Sequence, residues 1–365
     1  MKRKVLSILM AICLTLSLIP TAALAADDGF SDMPAEGSWS YAPLKAAIDN
    51  GLLTGSDGML LPNGILTRAQ MAAIINRAFG AADASDISSF ADVSATAWYH
   101  ADIAKAVRMG TFQGSGTAMR PDDPVTRQEA FVALARAFKL ADGDTSALLA
   151  FTDSGEVFSW AAPAVSAMVG AGYLKGDGGL LSPAADITRA EFAKVMSNMV
   201  AAYCRTSGTY TQNVTGNLLV NAPDVTLKAL TVTGDLIIGE GVGNGEVTLD
   251  GVTVTGRIVV RGGGVNSIIL TNKSSVGSIV VGKTGDGGVR IRTEEGCQVD
   301  IVYIDDGKDD VILAGTFSEV KIEADTPVSL KDASVKSLTI QAEGANVKLE
   351  GSTTVDAAII PGTAA

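Results

Sequence analysis

Apolar positions follow two different periods along this chain. Up to about residue 203 they recur at i, i+3 and i+4, the spacing of amphipathic helices. One such stripe consists of Phe192, Val195, Met196, Met199 and Val200. After about residue 210, apolar and polar residues alternate in short runs, which is typical of strands. The pattern therefore predicts a helical part followed by a β part.

The helical part contains one unit three times, with a period of 60 or 61 residues. Each unit begins with Phe-x-Asp, at 30–32, 90–92 and 151–153, and continues with a tryptophan and a short amphipathic segment. A G-x-x-x-G turn and a proline follow, and then a second apolar stripe. Glycine after such a segment favours a helix C-terminus and a tight turn. Each unit is predicted to hold two helices.

The second helix of each unit is predicted to begin with a capping box. A threonine side chain accepts a bond from the amide three residues on, and a Glu or Gln side chain there bonds back to the threonine amide. The pairs are Thr67 and Gln70, Thr126 and Glu129, and Thr188 and Glu191. The Gln of the first copy still permits capping.

An arginine follows each capping threonine: Arg68, Arg127 and Arg189. A cation in the first helical turn opposes the helix dipole at a cost of roughly 0.3–1 kcal/mol, so a negative group is expected beside it. One candidate is the aspartate of the Phe-x-Asp motif, in a structural ion pair. The other is an anionic ligand held by the guanidinium and the helix N-terminal amides. The three aspartates are Asp32, Asp92 and Asp153.

These features together resemble the S-layer homology (SLH) domain family, over residues 30 to about 203. The match comprises F-x-D, the tryptophan, G-x-x-x-G, the proline and T-R-A-E, with 36, 35 and 36 residues from aspartate to arginine. The resemblance implies an all-α bundle in which three repeats form a pseudo-trimer. It also implies that the grooves between repeats bind pyruvylated secondary wall polysaccharide or peptidoglycan, with the three arginines meeting the acidic sugar substituent.

The resemblance implies that the aspartates and tryptophans shape these grooves. The tryptophans are Trp39, Trp98 and Trp160. Each is a candidate sugar platform, although a tryptophan that opens an amphipathic helix is more often part of a core. The second copy departs from the family pattern in "TRQE" and in its turn "GTFQG", so the three grooves are not expected to bind equally.

The β part repeats with a coil length that falls from 22 to 17 residues. "VTLKALTVTGDLIIG" from 225 is nearly restated as "VTLDGVTVTGRIVVR" from 247. Apolar-x-apolar triplets begin at 225, 247, 268, 289, 311, 328 and 347, and a second series begins at 236, 258, 279, 301, 320, 338 and 358. A weaker third strand is expected around Val232, Val254 and Val276. The pattern predicts a parallel β-helix or related solenoid of seven coils.

The composition of the β part favours a non-enzymatic module. It has no histidine or tryptophan, and its aromatic residues are Tyr210, Tyr303 and Phe317. The acidic run 305–310 is a candidate Ca²⁺ site, but a lysine within it favours a polar turn. No catalytic residue, cofactor or metal is predicted.

The N-terminal residues and the net charge indicate an exported protein. Residues 1–25 have a basic start, an apolar run and Ala-Leu-Ala, as in a secretory signal peptide. Its removal changes the net charge from −12 to −15, which argues against nucleic acid or anionic lipid as the main partner. Cys204 and Cys297 remain, too few for a disulfide scaffold. No later stretch is apolar enough to span a bilayer.

The predicted organisation is a signal peptide (1–25), SLH repeats (26–83, 84–144, 145–204), a linker (205–216) and a parallel β-solenoid (217–365). The predicted function is non-covalent anchoring to the bacterial cell wall at the cell surface, with the solenoid projecting as a structural or adhesive module. The alternatives are a wall-anchored carbohydrate-active enzyme with a lyase-like β-helix and a subunit of an assembled surface layer. The last coil, blunted only by Pro361, raises the hypothesis of end-to-end self-association.

Overall fold

The computed structural model describes residues 29–307 and 310–360. The predicted signal peptide, Pro361 and part of the acidic run lie outside these residues. The described helical part holds two α-helices in each repeat: α1 (Tyr41–Asp49), α2 (Arg68–Phe79), α3 (His100–Arg108), α4 (Arg127–Ala137), α5 (Ala162–Gly170) and α6 (Arg189–Met199). Two short 3₁₀ helices, Thr145–Ala150 and Ser154–Glu156, precede α5. No helix in the described ranges is long and apolar enough to cross a membrane.

The three repeats contact one another in a closed cycle. The second helix of each repeat packs against the first helix of the next: α2 on α3, α4 on α5 and α6 on α1. Main-chain bonds close the same cycle just before the second helices. The Leu66 amide donates to Ile187 (3.0 Å), that of Val125 to Leu66 (3.0 Å) and that of Ile187 to Val125 (2.9 Å). All three side chains are fully buried, so the ring of amides surrounds an apolar centre.

Glycine is required at the predicted turn positions for two physical reasons. Gly51, Gly110 and Gly172 have φ between 60° and 75°, the left-handed conformation that ends a helix. The second glycine of each turn lies against the Phe-x-Asp ring of its own repeat, and a Cβ would collide with that ring. These pairs are Gly55 with Phe30, Gly114 with Phe90, and Gly176 with Phe151.

The β part is a parallel solenoid, as the sequence predicts. Its strands are β1 (Ala202–Cys204), β2 (Gly208–Tyr210), β3 (Leu218–Val220), β4 (Val225–Lys228), β5 (Thr231–Val232), β6 (Leu236–Ile238), β7 (Val247–Asp250), β8 (Thr253–Val260), β9 (Ile269–Thr271), β10 (Ser275–Lys283), β11 (Val289–Thr293), β12 (Gln298–Gly307), β13 (Val311–Ile322), β14 (Pro327–Ile340), β15 (Asn346–Glu350) and β16 (Thr354–Ile359). One ladder runs β2-β4-β7-β9-β11-β13-β14-β15 and the other runs β1-β3-β6-β8-β10-β12-β13-β14-β16. The weak third series also stacks, with Val232 beside Val254 and Val254 beside Val276.

The solenoid begins earlier than the sequence pattern indicates. Strand β1 pairs with β3, and β2 pairs with β4. Residues predicted to end the third repeat (β1) and residues predicted to form the linker (β2) therefore contribute to an extra coil, and the first ladder has eight strands in the described ranges. Strand β2 reads Gly-Thr-Tyr and lacks the apolar-x-apolar triplet that reveals the later coils.

One face of the solenoid is packed against the helical repeats rather than projecting free. Leu219, Ile237 and Val259, one each from β3, β6 and β8, belong to the buried core of the helical part. Polar bonds reinforce this contact, because Asn217 donates to the Met199 carbonyl at 2.7 Å and Asn221 donates to that of Ala78 at 2.8 Å. We call this contact the junction.

Candidate functional site

The second helix of every repeat begins with a complete capping box. Thr67, Thr126 and Thr188 accept the amide three residues on, and Gln70, Glu129 and Glu191 bond back to the threonine amides. The first two helical amides are also occupied, by carbonyls of a neighbouring repeat. Arg68 and Ala69 donate to Asp123 and Pro121, Arg127 and Gln128 to Ala185 and Pro183, and Arg189 and Ala190 to Gly64 and Pro62. These amides are therefore not available to an anionic ligand, which leaves the guanidinium groups.

The Phe-x-Asp aspartates clamp the loop that precedes each second helix. Asp32 accepts the amides of Leu60 and Leu61 at 2.6 and 2.7 Å. Leu61 has φ 56°, which a residue other than glycine adopts only when held. Desolvation opposes ionisation, but these amide bonds outweigh it and hold the pKa of Asp32 below its ordinary value. Asp92 clamps Met119 and Arg120 in the same way, and Asp153 clamps Leu181 and Ser182.

Each arginine reaches the clamped loop of a neighbouring repeat. The Nε atoms donate to the carbonyl of the residue that the aspartate holds: Arg68 to Met119 (2.8 Å), Arg127 to Leu181 (2.8 Å) and Arg189 to Leu60 (2.7 Å). No ion pair within 4 Å joins these arginines to the Phe-x-Asp aspartates among the described residues. The structure therefore replaces the hypothesised ion pair with an indirect link, in which aspartate and arginine hold one peptide segment from two sides.

The capping glutamates supply the ion pairs that the sequence did not indicate. Arg127 pairs with Glu191 of repeat three at 2.7 Å, and Arg68 pairs with Glu129 of repeat two at 3.6 Å. The position that corresponds for Arg189 is Gln70 of repeat one, which carries no charge. In the described residues Arg189 has the bond to Leu60 and no carboxylate within 4 Å.

The electrostatic surroundings of Arg189 favour an added anion. Burial, and then the charge of Arg77, lowers the pKa of the Arg189 guanidinium, while Asp32 acts in the opposite direction. The interface between repeats three and one thus holds a half-buried cation that lacks the counter-charge present at the other two interfaces. The spaces beside the arginines are named here by the repeats that form them, as the 1/2, 2/3 and 3/1 grooves.

The three tryptophans lie at the surface and not in the core. Trp39, Trp98 and Trp160 are 60%, 62% and 53% exposed, and the first helix of each repeat begins two residues after its tryptophan. Exposed indole rings can take part in ligand contacts. A cavity of about 440 Å³ in the 1/2 groove brings Trp160 of the third repeat near Arg68 and Glu129.

The described part of the solenoid shows no cluster typical of a metal centre. No group of three or more His, Cys, Asp or Glu side chains in the described ranges could hold a metal ion. Cys204 and Cys297 are both free and buried. Burial raises the pKa of the Cys204 thiol to about 12, which makes it a poor nucleophile.

Comparison with known proteins gives matches to the helical repeats and to surface proteins. The family model for the S-layer homology domain matches residues 29–72, 89–131 and 150–193. The surface-layer 125 kDa protein of Lysinibacillus sphaericus is 32% identical over 191 residues, which are 50% of this chain and 16% of that protein. The S-layer protein sap of Bacillus anthracis is 28% identical over 176 residues, 47% of this chain and 21% of that protein.

Enzymes also occur among the relatives. Exoglucanase XynX of Acetivibrio thermocellus is 24% identical over 186 residues, 50% of this chain and 17% of the enzyme. The chain thus spans about a fifth or less of the length of these three relatives. It contains three S-layer homology domains, which are followed by a β-solenoid.

Proposed function

We propose that the three S-layer homology domains anchor this protein non-covalently to the bacterial cell wall by binding an acidic wall polymer. The polymer is a secondary wall polysaccharide, in pyruvylated form, or peptidoglycan. The family match and the S-layer relatives support a wall-associated protein at the cell surface. The cyclic contacts between repeats support the three-repeat bundle that such domains need to form their grooves.

The missing counter-charge of Arg189 is the observation that carries this proposal. Glu129 and Glu191 neutralise the arginines of the other two interfaces, whereas Gln70 leaves Arg189 unneutralised. Its helix amides are occupied, so an acidic sugar substituent would meet the guanidinium edge. Charge-assisted bonds of this kind are about twice as strong as neutral ones. The 3/1 groove is therefore the principal polymer site in this proposal.

A role in an assembled surface layer is the second candidate. Its support is the similarity to the two surface-layer proteins, together with Leu349, Ile359 and Ile360, which are exposed large apolar side chains on or beside β15 and β16. Exposed apolar strand edges favour association with another chain. Analytical ultracentrifugation from 1 to 100 µM tests this role. Oligomers that grow with concentration support it, and a monomer over the whole range contradicts it.

We favour a non-enzymatic role for the solenoid over a carbohydrate-active one. The enzymes among the relatives match about half of this chain and a small fraction of their own length. The solenoid lacks histidine and tryptophan.

The anchoring proposal is tested by co-sedimentation of the purified chain with bacterial wall sacculi. The sacculi are used intact and after chemical removal of the secondary polysaccharide, beside a variant with Arg68, Arg127 and Arg189 changed to alanine. We expect sedimentation with the intact wall and its loss in the variant, while circular dichroism shows that the variant is folded. Binding that persists in the folded variant contradicts the proposal. Binding to intact and stripped sacculi alike selects peptidoglycan as the polymer.

A further inference from the structure

One position in the second helices makes a different contact in each repeat. Nine residues after the motif arginine, repeat one has Arg77 and repeat three has Asn198. Both side chains donate to a carbonyl just after the left-handed glycine of their own repeat, Arg77 to Leu52 (3.0 Å) and Asn198 to Tyr173 (2.9 Å). These bonds tie the second helix to the turn that follows the first.

Repeat two lacks this bond although it has the residue to make it. Arg136 occupies the position, but its guanidinium makes no hydrogen bond or ion pair with the described residues. Burial alone lowers its pKa, with no contribution from a carboxylate. A half-buried guanidinium without a partner is costly unless something else pairs with it.

Arg136 instead lines a cavity of about 920 Å³ at the junction. This junction cavity lies between α4, the start of α5 and the solenoid, and its volume is near the top of the roughly 300–1,000 Å³ typical of ligand sites. Its wall includes Arg136, Lys139, Trp160, Arg257, Tyr303 and Glu323. Arg136 and Trp160 also line the smaller cavity of the 1/2 groove, so the two spaces adjoin at these side chains.

The other cations of the junction cavity are already neutralised. Lys139 pairs with Asp305 at 3.0 Å, and Arg257 pairs with Asp235 at 2.7 Å. Arg136 is thus the cation in this wall that has no counter-charge within the described residues. A ligand that enters the cavity is expected to bring an anionic group to it.

The remaining wall suits a sugar. Trp160 presents an exposed ring at the point where the two cavities meet, and Tyr303 presents a phenol from the solenoid side. Such rings combine an apolar face with a polar edge, which matches the two faces of a pyranose. Gln113, Asp142 and Glu323 offer polar groups to sugar hydroxyls.

We infer that the junction cavity binds an acidic sugar, whose carboxylate pairs with Arg136 while its ring stacks on Trp160. This goes beyond the proposed function, because the site lies apart from Arg189 and residues of the solenoid form one of its walls. A glycan chain bound here contacts the helical repeats and the solenoid at once.

The test is a fluorescence titration of the full chain in which Trp160 is the remaining tryptophan. Trp39→Phe and Trp98→Phe achieve this at two exposed positions. The probe is hyaluronan hexasaccharide, which carries one uronate carboxylate per disaccharide, and its carboxyl-reduced form is the neutral control. We expect a saturable change in Trp160 emission with the acidic probe and a weakening of at least about tenfold with the reduced one.

Arg136→Met in the same background is expected to weaken binding of the acidic probe at least about tenfold. The matched variant is Arg77→Met, at the equivalent position of repeat one, and it should leave the affinity within about twofold. An absent Trp160 response, or a response that Arg136→Met or carboxyl reduction does not alter, overturns the inference. Because Arg136→Met leaves Arg189 unchanged, this variant should still co-sediment with sacculi through the 3/1 groove. That result separates the junction cavity from the 3/1 groove.

Discussion

The 2/3 and 3/1 interfaces are built from the same backbone and differ in one charge. In both, the arginine amide is bound by the facing repeat, and its Nε donates to a clamped carbonyl at 2.8 or 2.7 Å. At the 2/3 interface Arg127 then pairs with Glu191, whereas the corresponding position for Arg189 at the 3/1 interface is the uncharged Gln70. The main-chain ring therefore holds the repeats together with or without the ion pair. We propose that the carboxylate decides whether the guanidinium pairs within the fold or remains free for a ligand.

The largest expected effect is that of removing the unneutralised arginine. Arg189→Met should weaken sacculus binding about ten- to a hundredfold, because a charge-assisted bond to the ligand is lost. It should also lower the free energy of unfolding by about 0.5–1.5 kcal/mol, because the bond to the Leu60 carbonyl is lost. Arg127→Met is the matched control at the 2/3 interface, where binding should persist and the free energy of unfolding should fall by about 1–3 kcal/mol. Urea unfolding and sacculus co-sedimentation of both variants measure the two quantities.

The reverse outcome contradicts the comparison. If Arg127→Met removes wall binding and Arg189→Met does not, the neutralised arginine is the ligand contact.

Adding the missing carboxylate should convert the 3/1 interface into the type seen at the other two. Gln70→Glu is expected to weaken sacculus binding about tenfold by supplying Arg189 with an internal anion. The same change should raise the free energy of unfolding by about 0.5–1 kcal/mol. Gln70→Met is the control, because it removes the cap without adding charge. That variant should lose stability and keep its affinity for the wall. Equal loss of binding in Gln70→Glu and Gln70→Met would contradict the claim that the added charge weakens binding.

Removing a capping glutamate should free the arginine that faces it. Glu191→Gln retains a capping side chain but removes the partner of Arg127, so unfolding should become easier by about 1 kcal/mol. Wall binding should strengthen severalfold as the 2/3 groove gains a free guanidinium. Glu129→Gln is the graded comparison, since Glu129 pairs with Arg68 at 3.6 Å and with the more exposed Arg120 at 3.3 Å, both longer than the 2.7 Å of Arg127 and Glu191. A smaller loss of stability is expected there, and a larger one argues against the distances as the cause.

The three interfaces should differ least in the pH dependence of their stability, because all three carry the same aspartate clamp. The pKa values of Asp32, Asp92 and Asp153 are lowered in the folded protein. A carboxylate with a lowered folded pKa contributes stability that is fully present above its unfolded pKa near 3.8 and is lost as pH falls through the folded value. Melting temperatures should therefore drop steeply below about pH 4.

Asp153→Asn tests the assignment of this acid transition. It removes one titrating clamp, so the melting curve should depend less on pH in that range and start from a lower stability at pH 7. An unchanged pH dependence would mean that other carboxylates cause the transition.

Local sequence patterns predicted the features that depend on near neighbours. The capping boxes span three residues, the turn glycines end individual helices, and each coil restates the one before it. The solenoid ladders followed from the triplet series for the same reason. The extra coil was missed because strand β2 reads Gly-Thr-Tyr, without the apolar-x-apolar triplet of the later coils, and strand β1 closely follows the apolar stripe of α6.

Features that depend on chain closure could not be predicted in this way. Glu191 serves its own cap and also the arginine 64 positions earlier, and a capping motif contains no information about that second partner. The aspartates were expected to pair directly with the arginines, yet their carboxylates accept hydrogen bonds from backbone amides instead. Arg136 becomes notable only when its contacts are compared with those of Arg77 and Asn198. The one available hint was Gln70, the single neutral residue among the three capping positions.

The most direct test moves the unneutralised arginine from one repeat to another at constant net charge. The double variant Gln70→Glu with Glu191→Gln pairs Arg189 and frees Arg127. Sacculus affinity is then measured after Arg189→Met and after Arg127→Met in this exchanged background. We predict that binding now depends on Arg127 and has become insensitive to Arg189. Binding that still depends on Arg189 alone would contradict the claim that the missing carboxylate selects the groove.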